Sequence, residues 1–143
     1  MFLTTTRVVV LTIATLSLGA GRLLAHHSFA AEFDATNPIR LKGSITKWER
    51  INPHGWIYID VKQADGTVKN WAVETGAPTA LARAGIKKES LPIGIEVVVK
   101  GYRAKDGSNT ATGNIITLPD GKDLSLAPSI GAPSKTSDGG GYK

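Results

Sequence analysis

After the first quarter of the chain, apolar and polar residues alternate with a period of two, which is typical of half-buried β-strands. In the segment IRLKGSITKW, the apolar residues Ile39, Leu41 and Ile45 alternate with polar residues. Trp48 lies out of phase with them, and Gly43 lies within the segment. A glycine close to a change of phase is typical of a bulged or strongly coiled strand. We therefore predict a first strand that bends along its length.

The next two alternating segments predict a hairpin. The segment GWIYIDV places Ile57, Ile59 and Val61 on one face, and VKNWAVE returns with Trp71 on its apolar side. An Asp-Gly dipeptide at 65–66 separates the two segments, and glycine tolerates the positive φ that a tight hairpin turn requires.

A short helix is predicted in TGAPTALARAGI. Pro78 suits the first helical turn, four alanines and a leucine follow, and Gly85 ends the helix. Thr75 is the predicted N-cap. Beyond the helix, LPIGIEVVVKGYRA and ATGNIITL predict two more strands, and PDGKDLSL predicts a small terminal hairpin.

Five strands with one short helix between the third and the fourth predict an all-β domain with the topology of the OB-fold. This fold is a five-stranded Greek-key barrel, and a long, coiled first strand suits it. An open sandwich is the alternative. We expect the OB-like domain, with an N-terminal arm, to span 26–126. The tail at 127–143 is rich in Gly, Ser and Pro and is expected to be disordered.

Residues 1–25 have the features of a secretory signal peptide. Arg7 precedes the apolar run VVVLTIATLSLGAG, and LLA places a small residue before the expected cut after Ala25. Cuts after Ala20 or Gly21, and a retained membrane anchor, are alternatives, although the run is shorter than the ~20 residues of a spanning helix. We expect a periplasmic or secreted protein without membrane attachment after cleavage.

Composition narrows the possible chemistry. The chain has no cysteine, which excludes disulfides and thiolate metal sites. Loss of Arg7 and Arg22 with the leader would lower the formal charge from +5 to +3. The remaining basic residues are scattered, whereas a nucleic-acid-binding surface shows a dense basic stripe with interleaved aromatics. Nucleic acid is therefore not an expected partner.

Several segments of the chain are familiar in combination: HHSFAAEFD, INPHGWIYIDV, NWAVETGAP, GYRAKDGSN and ITLPDGKDL. Together they resemble a bacterial family of small exported proteins of unknown function, over about residues 26–126. The His-His-Ser-Phe start and the Asn-Pro-His segment of that family correspond here to residues 26–29 and 52–54. The resemblance implies no activity.

The three histidines are candidate metal ligands. Cleavage after Ala25 would give His26 a free α-amine, which can chelate a metal together with the ring of that residue. One further imidazole, from His54 or from His27, completes a set of three nitrogens that suits copper, with zinc as an alternative. Asn52-Pro53 favours an extended turn that would hold His54 rigidly.

Each of these residues also has a plainer interpretation. The two N-terminal histidines can be solvated, and His54 can bond only the backbone of its own turn. Glu32 and Asp34 are either carboxylates of the metal site or a solvated acidic pair.

Phe29 and Phe33, four residues apart, provide apolar surface that can dock the arm onto the domain.

Trp48, Trp56 and Arg103 are the candidate ligand-binding residues. The two tryptophans flank the Asn-Pro-His corner, where they can line a groove or can pack over an end of the barrel. Arg103 and Lys105 can hold an anion, or can form an ordinary charged hairpin.

Enzyme motifs are missing from the sequence: it contains no phosphate loop and no Gly-x-Ser-x-Gly elbow. We therefore expect a binding protein rather than an enzyme. The first hypothesis is carriage, buffering or delivery of copper. The alternative is a metal-free module that binds a small ligand or another envelope protein. A third is a copper redox enzyme with an N-terminal histidine.

Overall fold

The computed structural model describes residues 29–126, which are mostly β. The elements in chain order are α1 (Phe29–Glu32), β1 (Phe33–Glu49), β2 (Gly55–Lys62), β3 (Val68–Thr75), α2 (Pro78–Arg83), a 3₁₀ turn (Lys88–Ser90), β4 (Glu96–Ala104), β5 (Thr110–Thr117) and β6 (Asp123–Ser125). The predicted signal peptide, the predicted tail, His26 and His27 lie outside the described residues. Within them, no helix is long and apolar enough to cross a membrane.

The six strands form one sheet in the order β3-β2-β1-β4-β5-β6, with antiparallel neighbours. In addition, β3 pairs with β5 in parallel. The parallel pairing of β3 with β5 therefore closes a ring of five strands. Around this ring the order is β1, β2, β3, β5, β4 and back to β1. The strand order along the chain, the helix between β3 and β4, and the small terminal hairpin agree with the prediction from the sequence.

The first strand bends between two partners. It pairs with β4 from Phe33 to Ser44 and with β2 from Ser44 to Glu49. A side chain on Gly43 would overlap the carbonyl oxygen of Asp60, so this close approach requires glycine. The bulge itself lies between Ile45 and Lys47, rather than at the glycine. The strand also begins earlier than the predicted start at residue 39.

Alternate residues of the strands bury one apolar core. The predicted inward face of β2 is confirmed, since Ile57, Ile59 and Val61 are all buried. Trp71 is buried in the same core, as predicted. Leu81 of α2 and Ile86 after it pack against this core, so the helix lies over it.

The start of α2 differs in part from the prediction. Pro78 occupies the first turn, as expected. The N-cap is Ala77, however, and it makes no side-chain capping bond. Thr75 is fully buried at the end of β3, and its hydroxyl donates to the carbonyl oxygen of Gly76. The predicted Thr75 cap is therefore wrong, because strand β3 continues through this residue.

The outer side of the strands carries four residues in register, which we call the outer row: Trp56 on β2, Glu74 on β3, Thr112 on β5 and Tyr102 on β4. Although these residues point away from the core, Glu74 is only 8% exposed, Thr112 1% and Tyr102 7%. The outer side of the sheet therefore has a buried region of its own, and that region is partly polar.

The N-terminal arm docks beside the outer row. The ring of Phe29 in α1 meets Tyr102 edge to face at 5.5 Å and lies 5.9 Å from Phe33. The Lys105 ammonium donates to the Ala30 carbonyl oxygen at 2.6 Å, and the Lys105 amide donates to the Glu32 carbonyl oxygen. The predicted docking of the arm through Phe29 and Phe33 is thus confirmed.

Candidate functional site

His54 lies directly before β2 and contacts a buried acid. Its Nδ1 atom meets Oε1 of Glu74, which belongs to the outer row. The Glu74 side chain is 10% exposed and that of His54 is 31% exposed. Within residues 29–126, Nδ1 makes no hydrogen bond of ordinary geometry, so its contact with Glu74 is a close approach of the two groups. The pair therefore stands at the border between the buried outer row and solvent.

This contact gives the two ring nitrogens of His54 different roles. An imidazole that faces a carboxylate oxygen through Nδ1 and carries its single ring hydrogen there keeps the lone pair on Nε2. The carboxylate also restrains the ring orientation. A carboxylate on one ring nitrogen with the other free for a ligand is the usual arrangement of metal-binding histidines. In this arrangement Nε2 of His54 is the ring nitrogen that does not face Glu74.

Glu74 was not among the predicted site residues. It occupies a polar position in the alternating segment VKNWAVE, where a solvated side chain is the ordinary expectation. Its place opposite Trp56, and hence next to His54, follows from the register of β2 and β3. Local sequence patterns do not reveal this register.

The described residues alone do not complete a metal site. Between 29 and 126, no three His, Asp or Glu side chains are grouped so that they could hold a metal ion. Neither Glu32 nor Asp34 joins His54 and Glu74 in such a group. The Asp34 carboxylate instead accepts hydrogen bonds from the Thr36 amide and hydroxyl, which lower the pKa of Asp34 below its ordinary value.

The two candidate tryptophans lie on opposite sides of the sheet. Trp48 is in register with Ile57 and packs against the core, whereas Trp56 is in register with Glu74 on the outer side. Trp48 follows Ile45 by three residues, an odd spacing that would place the two on opposite sides of a regular strand. The bulge after Ile45 shifts the alternation, so Trp48 lies on the core side as well. Of the two interpretations, the one in which both tryptophans line one groove does not fit, because Trp48 packs against the core. Trp56 lines a cleft on the outer side.

The Arg103 side chain is bonded to the backbone of its own turn and does not extend freely into solvent. Its Nη2 donates to the Gly107 carbonyl oxygen at 2.6 Å, and its Nε donates to the Ser108 carbonyl oxygen at 3.3 Å. The guanidinium also lies 5.4 Å from the centre of the Trp71 ring. The side chain thus closes the turn between β4 and β5 and covers Trp71. This arrangement favours the interpretation of this loop as an ordinary charged hairpin.

Replacement of Arg103 by alanine should lower the free energy of unfolding by about 1–2 kcal/mol, because two turn hydrogen bonds and the contact with Trp71 are lost. Urea denaturation would measure this. Arg103→Lys keeps the charge but loses the planar fork, so we expect an intermediate loss. An Arg103→Ala protein as stable as the wild type would contradict the structural role.

A cleft of about 560 Å³ lies beside the outer row. Its lining combines the arm, the Trp56 side chain and the turn after β4, and consists of Ala31, Glu32, Phe33, Trp56, Ala104, Lys105, Asp106 and Thr110. Thr110 precedes Thr112 of the outer row by two residues, so both point to the same side of β5. The volume is in the range of small-molecule sites.

Comparison with protein families places the chain in a family. The profile of a family of unknown function, DUF6152, matches residues 14–114. The chain belongs to this family. The match includes His26, His27, His54 and Glu74, and it confirms the resemblance to a family of unknown function. Searches of curated proteins and of solved structures found no match.

Proposed function

We propose that this protein is an exported β-barrel domain that binds copper, or a similar divalent ion such as zinc, through His54 together with His26 and His27. The observation that carries the proposal is the contact of His54 Nδ1 with the buried Glu74, which leaves Nε2 for a metal. Imidazole nitrogen is a preferred ligand of both copper and zinc. The role would be carriage, buffering or delivery of the ion outside the cytoplasm.

The OB-like assignment is part of this proposal. It is supported by the return of the strand pairings from β4 to β1, by the long first strand that pairs with both β2 and β4, and by the helix between β3 and β4.

The position of the arm supports a role for the N-terminal histidines. Phe29 packs on Tyr102, which lies two strands away from Glu74 in the outer row. Two strand spacings amount to about 10 Å. His26 precedes Phe29 by three residues, and three residues span at most about 10 Å. An arm anchored at Phe29 is therefore long enough for His26 to approach His54.

Cleavage after Ala25 would add a further ligand. In the mature chain His26 would carry a free α-amine, so that the amine, its own imidazole and the His54 imidazole would offer three nitrogens. His27 offers an alternative second imidazole. Three nitrogen ligands of this kind suit Cu(II).

A second candidate function is favoured by the cleft. A metal-free module that binds a small organic ligand would use the cleft between the arm and Trp56, which lies entirely within the described residues. This function requires neither cleavage at Ala25 nor any of the three histidines.

A Cu(II) titration of the mature protein tests the metal proposal. Protein recovered from the periplasm, with a mass that shows a start at His26, should bind one Cu(II) per chain with several nitrogen ligands in its electron paramagnetic resonance spectrum. In a matched sample the α-amine of His26 is acetylated, which removes the amine nitrogen from coordination, and this protein should bind at least about tenfold more weakly. Absence of binding by the mature protein would exclude the metal proposal and leave the ligand-binding module.

A further inference from the structure

The cleft beside the outer row has three kinds of wall. The arm supplies Ala31 to Phe33 on one side, Trp56 of β2 lies on another, and Lys105 and Asp106 come from the turn after β4. The arm is held in this place by the Phe29–Tyr102 contact and by the hydrogen bonds of Lys105. The cleft is therefore built from parts of the chain that are firmly joined to one another.

The charged groups of the cleft make it negative. Its lining contains the carboxylates of Glu32 and Asp106 and the single ammonium of Lys105, a formal charge of −1. The Lys105 ammonium is bonded to the Ala30 carbonyl oxygen. Hydrogen bonds from Ser108 and the positive charge of the nearby Arg103 lower the pKa of Asp106. Since the whole chain has a formal charge of +5, the negative cleft is a local feature.

Trp56 differs from the other two tryptophans in its surroundings. Arg50 lies 5.5 Å from the ring centre of Trp48, and Arg103 lies 5.4 Å from that of Trp71. In the described part of the chain, no lysine or arginine stands over the ring of Trp56. Tryptophan is the aromatic side chain that attracts cations best, and ligand cations use the same attraction.

We propose that this cleft binds a small organic cation of the alkylammonium class, with its charge near Glu32 and Asp106 and its apolar substituents against Trp56. The carboxylates of Glu32 and Asp106 attract a cation and repel an anion. The face of the Trp56 ring also favours a cation. This inference rests on the second candidate function and is independent of the metal proposal.

Choline is a suitable probe, and its uncharged analogue 3,3-dimethyl-1-butanol has nearly the same shape. In a titration with a chelator present, choline should shift the indole NMR signal of Trp56 saturably. The neutral analogue should bind at least about fivefold more weakly, and Trp56→Leu should weaken choline binding by a similar factor. Equal affinity for the two compounds, or no saturable binding of choline, would overturn the proposal.

Charge variants locate the site. The double variant Glu32→Gln, Asp106→Asn changes the formal charge of the lining from −1 to +1 and should weaken choline binding by more than about tenfold. The matched control Glu89→Gln, Asp120→Asn makes the same change of total charge outside the cleft and should bind normally. Equal losses in both variants would contradict a local site. Circular dichroism would verify that each variant is folded.

His54→Ala separates this inference from the metal proposal. This variant lacks the proposed metal ligand but keeps the lining of the cleft, so it should bind choline as the wild type does. A protein that binds Cu(II) but not choline would overturn only the cation site, and the reverse result would overturn only the metal site.

Discussion

Replacing His54 by alanine should weaken Cu(II) binding by the mature protein by more than about a hundredfold. Of the proposed ligands, His54 lies within the described residues 29–126, and its Nε2 is the atom that the contact with Glu74 leaves available. Loss of a ligand exceeds the effect of losing a supporting carboxylate, which typically costs 10–100-fold in metal affinity. Competition with a chelator of known affinity would measure the change. Wild-type affinity in this variant would mean that copper is bound elsewhere.

The role of Glu74 can be tested separately with Glu74→Gln, which keeps the size and the hydrogen-bonding capacity of the side chain. Because the negative charge that orients and polarises the imidazole is lost, we expect metal binding to weaken by roughly 10–100-fold. His54 itself remains, so the effect should be smaller than that of His54→Ala. An equal affinity of Glu74→Gln and wild type would show that Glu74 only fills space beneath the histidine.

Gly101→Ala should destabilise the domain by about 3–5 kcal/mol, a large part of the stability of a small domain. Gly101 lies opposite Gly113 at a register shift between β4 and β5. A Cβ on Gly101 would overlap the carbonyl oxygen of Thr112, which is backbone and cannot rotate away. Because Thr112 also pairs with Glu74, movement of β5 would disturb the closing contact with β3.

Urea denaturation followed by tryptophan fluorescence would measure the loss of stability. The matched control is Gly66→Ala in the turn between β2 and β3, where no atom lies within 4 Å of an added Cβ but φ is +86°. Only the strain of a positive φ is expected there, about 1–2 kcal/mol. If both variants lost the same amount, the overlap with Thr112 would have no particular importance.

Local patterns in the sequence were sufficient for most of the strands and turns. The alternation of Ile57, Ile59 and Val61 predicted the inward face of β2, and the turn at 65–66 and the helix that starts at Pro78 lie where predicted. These features depend on neighbours close in sequence. Alternation decides which side of a strand is apolar, and glycine and proline restrict single backbone positions.

Other features depended on which strands pair, and in which register. The bulge after Ile45 moved Trp48 to the core side, although Trp48 is out of phase in the sequence. The partner of His54 is Glu74 because β2 and β3 pair with Trp56 opposite Glu74. A register shift of one residue would have turned Glu74 to the other side of the sheet.

The sequence by itself determined the fold class and the residue types available for chemistry: no cysteine, three histidines and a mostly alternating chain. Only the tertiary structure decided that His54 meets a buried carboxylate, that Arg103 supports a turn, and that Trp56 lines a negative cleft. The physical reason is that a binding site consists of side chains far apart in sequence. Their proximity is set by the pairing and closure of strands, which no short segment of the chain specifies.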